Sequence, residues 1–470
     1  MTREFDLNIE RVLENWTVAH ALREVIANAL DEQALTGTAE PQIFADAENR
    51  WHIRDWGRGL RYEHLTQNEN KEKLNHPDQV VGKFGVGLKD ALATFDRHRI
   101  SVVIRSRHGD ITTGKQAKHG FDDIETLHAL IADPADPGFA GTEFILSGRA
   151  LTERQVEEAK GLFLRYSGDE ELGVTPFGSV LRRTHNRAKA RIYVNGLRVA
   201  EEDNFLFSYN ITSPTAALRR ALNRERSNVG RSAYTDRVKA ILLACDQDEV
   251  IDTLVADLQK YEQGTWHDET QWLDVGLHAC KQLNARRQVI FLTAFELSYA
   301  ADFVQRARND GYEIIVVPET IRRKLPSLRD AAGNPIRDLD RYRDEWQDSF
   351  RFTFVDPADF SAAERAVWDA LPRIFAARGG RPRNVRDVRI SETMRLMEGR
   401  YTEAVGIWES ADGRIVVKRS QLQSLPAFAG TVLHEVSHAL SGATDVSLEF
   451  EQQLTEELGG VASRSITGAR

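Results

Sequence analysis

The period of the apolar positions changes repeatedly along this chain, and each change marks an element. Val12, Trp16, Ala19, Leu22, Ile26 and Leu30 recur at helical spacing, which predicts one long helix from about Ile9 to Leu35 with Gly37 as its stop. Trp51-His52-Ile53-Arg54 reads as a short strand, KDALATF from Lys89 as a helix, and Gly141-Thr142-Glu143-Phe144-Ile145-Leu146 as the start of a strand. Residues 191–199 read as a hairpin turned at Asn195-Gly196, with a helix through Lys239 further on. Residues 288–318 form a β-α-β pattern, two β-rich runs around about a dozen helical residues, which implies a parallel pair. Residues 326–343 read as an exposed loop. Beyond it, residues 404–408 and 414–417 predict a hairpin turned at Asp412-Gly413, followed by an apolar helix that Ser441-Gly442 ends. A last helix carries Leu448, Phe450, Leu454, Leu458 and Val461 on one expected apolar face.

Strands alternating with helices over this length predict an α/β (α+β) multidomain chain, divided as 1–150, 151–246, 247–345 and 346–470. A length of 470 residues exceeds one ordinary core, and the apolar and charged fractions are those of a globular protein. No apolar run approaches membrane-spanning length and the first residues lack a signal-peptide core, so the expected location is the cytoplasm. Cys245 and Cys280 are the two cysteines, which excludes a cysteine-rich zinc site and makes disulfide stapling an unneeded assumption. The net charge of −9 gives no global drive toward nucleic acid. The basic stretches 182–191 and 378–389 lack interleaved aromatics and read as solvated surface.

His434-Glu435-Val436-Ser437-His438 is an HExxH. Two histidines four apart share a helix face, so both imidazoles reach one tetrahedral Zn²⁺. The glutamate between them then takes a proton from a water that the metal activates. The third ligand is less defined. No further histidine follows His438, and Asp445 stands one residue out of register for the aspartate-terminated form of the longer motif. Glu451 falls inside the predicted apolar arc of the last helix, where a buried carboxylate needs a partner such as a metal. Glu451 is therefore the expected ligand and Asp445 the alternative, or a partner to a ligating histidine. A hairpin followed by an HExxH helix resembles the zincin metallopeptidases over roughly residues 385 to 465.

The other end of the chain carries a second constellation. Glu24, Asn28 and Asp31 lie on the first helix, with Glu24 and Asn28 on one face. Asp55-Trp56-Gly57-Arg58-Gly59 follows a strand, and Gly82-Lys83-Phe84-Gly85-Val86-Gly87-Leu88-Lys89 opens a helix, where backbone N–H groups can close on phosphates. ExxxNxxD, DxGxG, GxxGxGxK and the Gly-Thr pair of 141–142, in that order over residues 8 to 150, resemble the GHKL ATPases: gyrase, the large heat-shock chaperones, histidine kinases and MutL.

That resemblance implies roles. Glu24 would orient the attacking water as general base. Asn28 would ligate Mg²⁺, and Asp55 would accept the adenine amino group with Thr142 beside it. Gly57 and Gly59 would permit close approach, while Gly82, Gly85 and Gly87 would wrap the phosphates of ATP. Asp31, Lys83 and Leu88 would complete the nucleotide site, and the polar interval 60–81 would be its lid. In gyrase and MutL a following transducer domain sends a basic residue toward the γ-phosphate. Arg226, with Arg224, is the candidate by position in the chain, although the same stretch also reads as the basic start of a surface helix.

Together these signals predict a GHKL module, a transducer-like domain, an α/β connector and a zincin-like domain. The expected activity is an ATP-dependent or ATP-regulated zinc metallopeptidase acting on an intracellular protein or peptide, with nucleotide-driven homodimerisation as the gate. Two other readings stand beside it: an ATP-driven clamp or chaperone-like protein with a non-proteolytic zincin scaffold, and a nucleic-acid-remodelling ATPase of the MutL or MORC type, which the acidic net charge disfavours.

Overall fold

A computed structural model describes residues 3–7, 16–66, 80, 86–118, 121–183, 189–222, 229–397 and 399–468. Helices and strands are mixed throughout. The chain divides into two compact units, residues 1–283 and 284–470, so the connector expected over 247–345 is shared between them.

The first unit holds an antiparallel seven-stranded sheet made of β1 (Arg3–Asp6), β2 (Gln42–Ala45), β3 (Trp51–Arg54), β4 (Ser101–Ser106), β5 (Asp110–Lys118), β6 (Phe121–Ala132) and β7 (Thr142–Ser147). The strand order is β1-β6-β5-β4-β7-β3-β2. Alternation along β4 turns Val102 and Ile104 inward, where they join Ile53, Phe144 and Leu146 under the helices. Leu22, Val25 and Ile26 of the helix Val18–Thr36 meet Leu92 and Phe95 of the helix Val86–Arg97 in the same core. The first described helix begins at Val18, and the expected start at Ile9 lies outside the described residues. Thr17 is extended, and its N–H donates to His20 Nδ1 at 3.1 Å, which caps the helix that follows. Gly37 closes the helix in the left-handed region, as its position predicts.

A five-stranded sheet follows, built from β8 (Glu171–Thr175), β9 (Gly178–Leu181), β10 (Ala190–Val194), β11 (Leu197–Glu202) and β12 (Ser208–Ile211) in the order β11-β10-β12-β9-β8. The β10–β11 hairpin turns at Asn195 and Gly196 with φ of 48° and 78°, the signature of a two-residue primed turn. Helices Thr235–Ala244 and Asp248–Leu258 pack on this sheet.

In the second unit β13 (Val289–Leu292) and β14 (Glu313–Val316) pair in parallel, with the intervening helix broken at Ala300 into Ala294–Tyr299 and Ala301–Asn309. The segment expected as loop over 326–343 already turns helical at Leu339, because the Asp338 carboxylate accepts the Arg341 N–H at 2.8 Å and caps a helix to Ser349. A three-stranded sheet, β15 (Asp387–Ser391), β17 (Arg414–Lys418) and β16 (Gly406–Glu409) in that order, has β16 antiparallel at one edge. The helix Leu425–Ser441 lies across β16 and β17, and the last helix, Leu448–Thr467, packs on it.

The last helix is rotated from the expected orientation. Leu448 and Leu458 are exposed, as is Glu451, and the inward positions include Phe450 and Glu457. Glu457 is the buried carboxylate, and its partner is Arg378, whose Nε and Nη2 lie 2.9 Å and 2.7 Å from its two oxygens. Among the described residues, no helix is long and apolar enough to cross a membrane.

Candidate functional site

The helix Leu425–Ser441 presents Phe428, Val432 and Val436 to its sheet, four residues apart on one face. His434 and His438 fall on the adjoining, partly exposed flank. Their Nε2 atoms are 3.2 Å apart, and Asp445 Oδ1 is 3.1 Å from each. A tetrahedral ion with ligand bonds of about 2.0–2.1 Å has ligand–ligand edges of about 3.3 Å, so this donor triangle fits the face of a zinc coordination shell. The Ala443 carbonyl accepts from His438 Nδ1 at 2.8 Å, which leaves the Nε2 lone pair directed into the triangle. Burial lowers the His434 pKa against the pull of Asp445, favouring the neutral form that a ligand requires.

Glu451, the expected third ligand, is exposed, and the donor set contains Asp445 instead. The register mismatch that counted against Asp445 is absorbed by the backbone. The helix continues to Ser441, Gly442 turns left-handed at φ 67°, and the chain returns in time to deliver Asp445. Val446, the next residue, also sits in the left-handed region at φ 62° while 93% exposed. For a β-branched side chain that backbone is strained.

Glu435, next to His434 on the same helix, is 5% exposed, with its carboxylate accepting the Trp408 backbone N–H from β16. Burial raises its pKa to about 8, with repulsion from Asp445 adding to the shift. A divalent cation at the triangle would act in the opposite sense, coupling proton release from Glu435 to its binding.

In the first unit, Glu24 is buried and its Oε1 accepts from Arg23 Nε and Nη2 at 3.0 Å and 2.8 Å. Asn28 follows one turn on, half-buried, and Asp31 is buried. Gly87 and Leu88 open the Val86–Arg97 helix, and a Cβ at Gly87 would stand 2.3 Å from Glu24 Oε2. Asp55 and Thr142 are brought together by the β3–β7 pairing, which sets Arg54 opposite Glu143. The Thr142 and Gly57 N–H groups donate to Asp55 Oδ1 at 3.2 Å and 2.9 Å, and the Asp55 N–H donates to the Thr142 carbonyl at 2.9 Å. Burial nevertheless raises the Asp55 pKa to about 6. Gly59 has φ 87°, and Gly57 packs against Glu32, whose Cγ a Cβ would meet at 2.2 Å. Gly82, Lys83, Gly85, Arg224 and Arg226 lie outside the described residues, as does most of the expected lid.

Two proteins of Mycoplasma pneumoniae, each known as an uncharacterized protein, resemble this chain. One is 35% identical over 244 residues, covering 51% of this chain and 96% of the relative. The other is 25% identical over 347 residues, 69% of this chain and 96% of the relative. The chain belongs to the family of these mycoplasmal proteins. The family of the Mycoplasma pneumoniae MPN635 N-terminal domain matches residues 154–248. In this chain the matched segment holds the five-stranded sheet and the helix Thr235–Ala244.

Sequence reasoning ranked Asp445 second and missed the Ala443 carbonyl, Gly406 and Arg23. Gly406 left a faint signal, a glycine at the start of a strand, which often marks a close approach. The carbonyl left none.

Proposed function

We propose that this family member is an ATP-regulated zinc metallopeptidase. The observation that carries the reading is the closed triangle of His434, His438 and Asp445, with the buried Glu435 on the same helix as the two histidines. Two imidazoles and a carboxylate are a zinc donor set, and a carboxyl raised by burial is suited to proton transfer. Bound zinc supplies Lewis acidity for the scissile carbonyl and for the attacking water. His434, His438 and Asp445 would hold the ion, and the Ala443 carbonyl fixes the His438 tautomer. Glu435 accepts a proton from the attacking water and returns it to the departing amine. The Trp408 N–H steadies its carboxylate meanwhile.

The nucleotide half of the proposal rests on the GHKL-like motifs and on two pairings. Asp55 with Thr142 forms a buried acceptor suited to an adenine amino group, and Glu24, which lies beside Gly87, would orient a water. Asn28 would hold Mg²⁺ on the ATP phosphates. ATP closure and homodimerisation would gate the peptidase.

Metal analysis of the purified chain tests the core of this reading. Wild type is expected to carry one zinc per chain, and His434→Ala to lose it. Proteomics of cells expressing wild type against Glu435→Gln should then show a protein cleaved only in the former, with cleavage reduced by Asn28→Ala. Zinc absent from wild type sinks the peptidase reading. Zinc present with no cleavage in either strain favours the clamp-like scaffold.

A further inference from the structure

Two imidazoles can serve as ligands only if their ring planes are held as well as their nitrogens. His438 has its Nδ1 fixed by the Ala443 carbonyl at 2.8 Å. Among the described residues His434 has no counterpart of that carbonyl for its Nδ1. It sits on the outer flank of the helix, with a side chain 38% exposed, so rotation about its side-chain bonds would swing Nε2 away from His438 and Asp445.

Both rings, however, touch one aromatic side chain. Phe450 stacks on His438 with centroids 4.1 Å apart and planes at 19°, and meets His434 edge-on at 4.8 Å and 67°. The two imidazoles themselves lie 4.9 Å apart at 76°, so the three rings form a closed cluster in which each limits the tilt of the others. Phe450 is 4% exposed and projects from the first turn of the last helix, where the Ser447 hydroxyl accepts the Phe450 N–H at 3.3 Å. That cap anchors the helix start only two residues after Asp445. One short segment thus delivers the third donor and the floor on which the other two rest.

We infer that Phe450 is a positioning residue for the metal site, holding the His434 and His438 rings so that both Nε2 atoms and Asp445 Oδ1 meet at one point. This rests on the zinc reading above. Residues that orient ligands from behind affect metal affinity by about 10–100-fold. The contribution here comes from ring shape. An aliphatic side chain of similar bulk fills the same space but cannot hold an imidazole plane.

The test is zinc affinity by chelator competition, together with the visible spectrum of the cobalt-substituted protein, on wild type, Phe450→Leu and Phe450→Tyr. Phe450→Leu is expected to bind zinc about 10–100-fold more weakly and to shift the cobalt bands away from the wild-type tetrahedral pattern. Phe450→Tyr, which keeps the ring, should restore both. Melting of the metal-free proteins gives the purely structural effect. If Phe450→Leu lowers that melting temperature too far for titration, Phe450→Met carries the same expectation with a more adaptable side chain. Wild-type affinity and an unchanged cobalt spectrum in the aliphatic variant overturn the role of Phe450 and leave the zinc reading standing. Failure of wild type itself to bind zinc overturns both.

Discussion

Gly406 lies directly against Glu435: a Cβ at that glycine would stand 2.6 Å from Glu435 Oε1, 2.9 Å from its Cγ and 2.5 Å from Thr431 Cγ2. The edge strand β16 therefore approaches the HExxH helix as closely as it does because position 406 has no side chain, and that approach lets the Trp408 N–H reach the Glu435 carboxylate. Gly406→Ala should push Glu435 out of place without touching a ligand. The expected result is zinc content equal to wild type and kcat lowered about 100-fold, the scale that a displacement near 1 Å produces. KM should change far less. A Gly406→Ala protein with unchanged kcat would show that Glu435 tolerates displacement and is not the proton carrier.

Asp445 and Glu451 make opposite predictions. Asp445→Asn removes the anionic donor while keeping its shape, so zinc should be lost or weakened by orders of magnitude, whereas Glu451→Ala should leave zinc and melting temperature unchanged. Glu457→Ala should behave differently again. It strands the half-buried Arg378 and should destabilise the chain by about 3 kcal/mol, with no change in metal affinity. Chelator competition and thermal melting on the three variants separate these cases. Zinc loss in Glu451→Ala would return that residue to the ligand set.

Local chemistry explains what the sequence made legible. The hairpins, the parallel pair of residues 289–316 and the HExxH helix were readable because turn residues, apolar period and caps agree there. Which carboxylate stands beside the two histidines is not readable from helix geometry alone. An apolar arc was drawn through Leu448 and Leu458, yet the packed side of that helix is set by Phe450 and by the Glu457–Arg378 pair, 79 residues apart in sequence. Long-range ion pairing cannot be seen in a local period. At the start of the first described helix, Thr17 competes for the backbone more strongly than Trp16 promotes the helix.

Gly87 makes a parallel case in the first unit. In the first turn of the Val86–Arg97 helix, a glycine leaves room for a close neighbour. The space is occupied by Glu24, whose Oε2 would be 2.3 Å from an added Cβ and whose Oε1 is already held by Arg23. Gly87→Ala should displace the Glu24 carboxylate and lower ATP turnover about tenfold or more, with ADP affinity affected less. Turnover equal to wild type would remove Glu24 from the hydrolytic step.

Asp55 ties nucleotide binding to pH. Burial raises its pKa from 3.8 to about 6, opposed by the Gly57 and Thr142 N–H groups. A carboxyl raised in the folded state contributes stability below its unfolded pKa, and that contribution is lost as pH climbs through about 6. Above that pH the buried carboxylate is destabilising by roughly 3 kcal/mol. Asp55→Asn should therefore raise the melting temperature of the nucleotide-free chain at pH 8 and leave it nearly unchanged at pH 4. An adenine amino group donating to the carboxylate favours the ionised form. Adenosine affinity should then fall as pH drops below about 6, approaching tenfold per unit, and the dependence should vanish in Asp55→Asn. Adenosine is the better probe than ATP because its own ionisation does not intrude near pH 6. Affinity that stays flat from pH 7.5 to 5 in wild type would mean that the carboxylate is not the adenine acceptor.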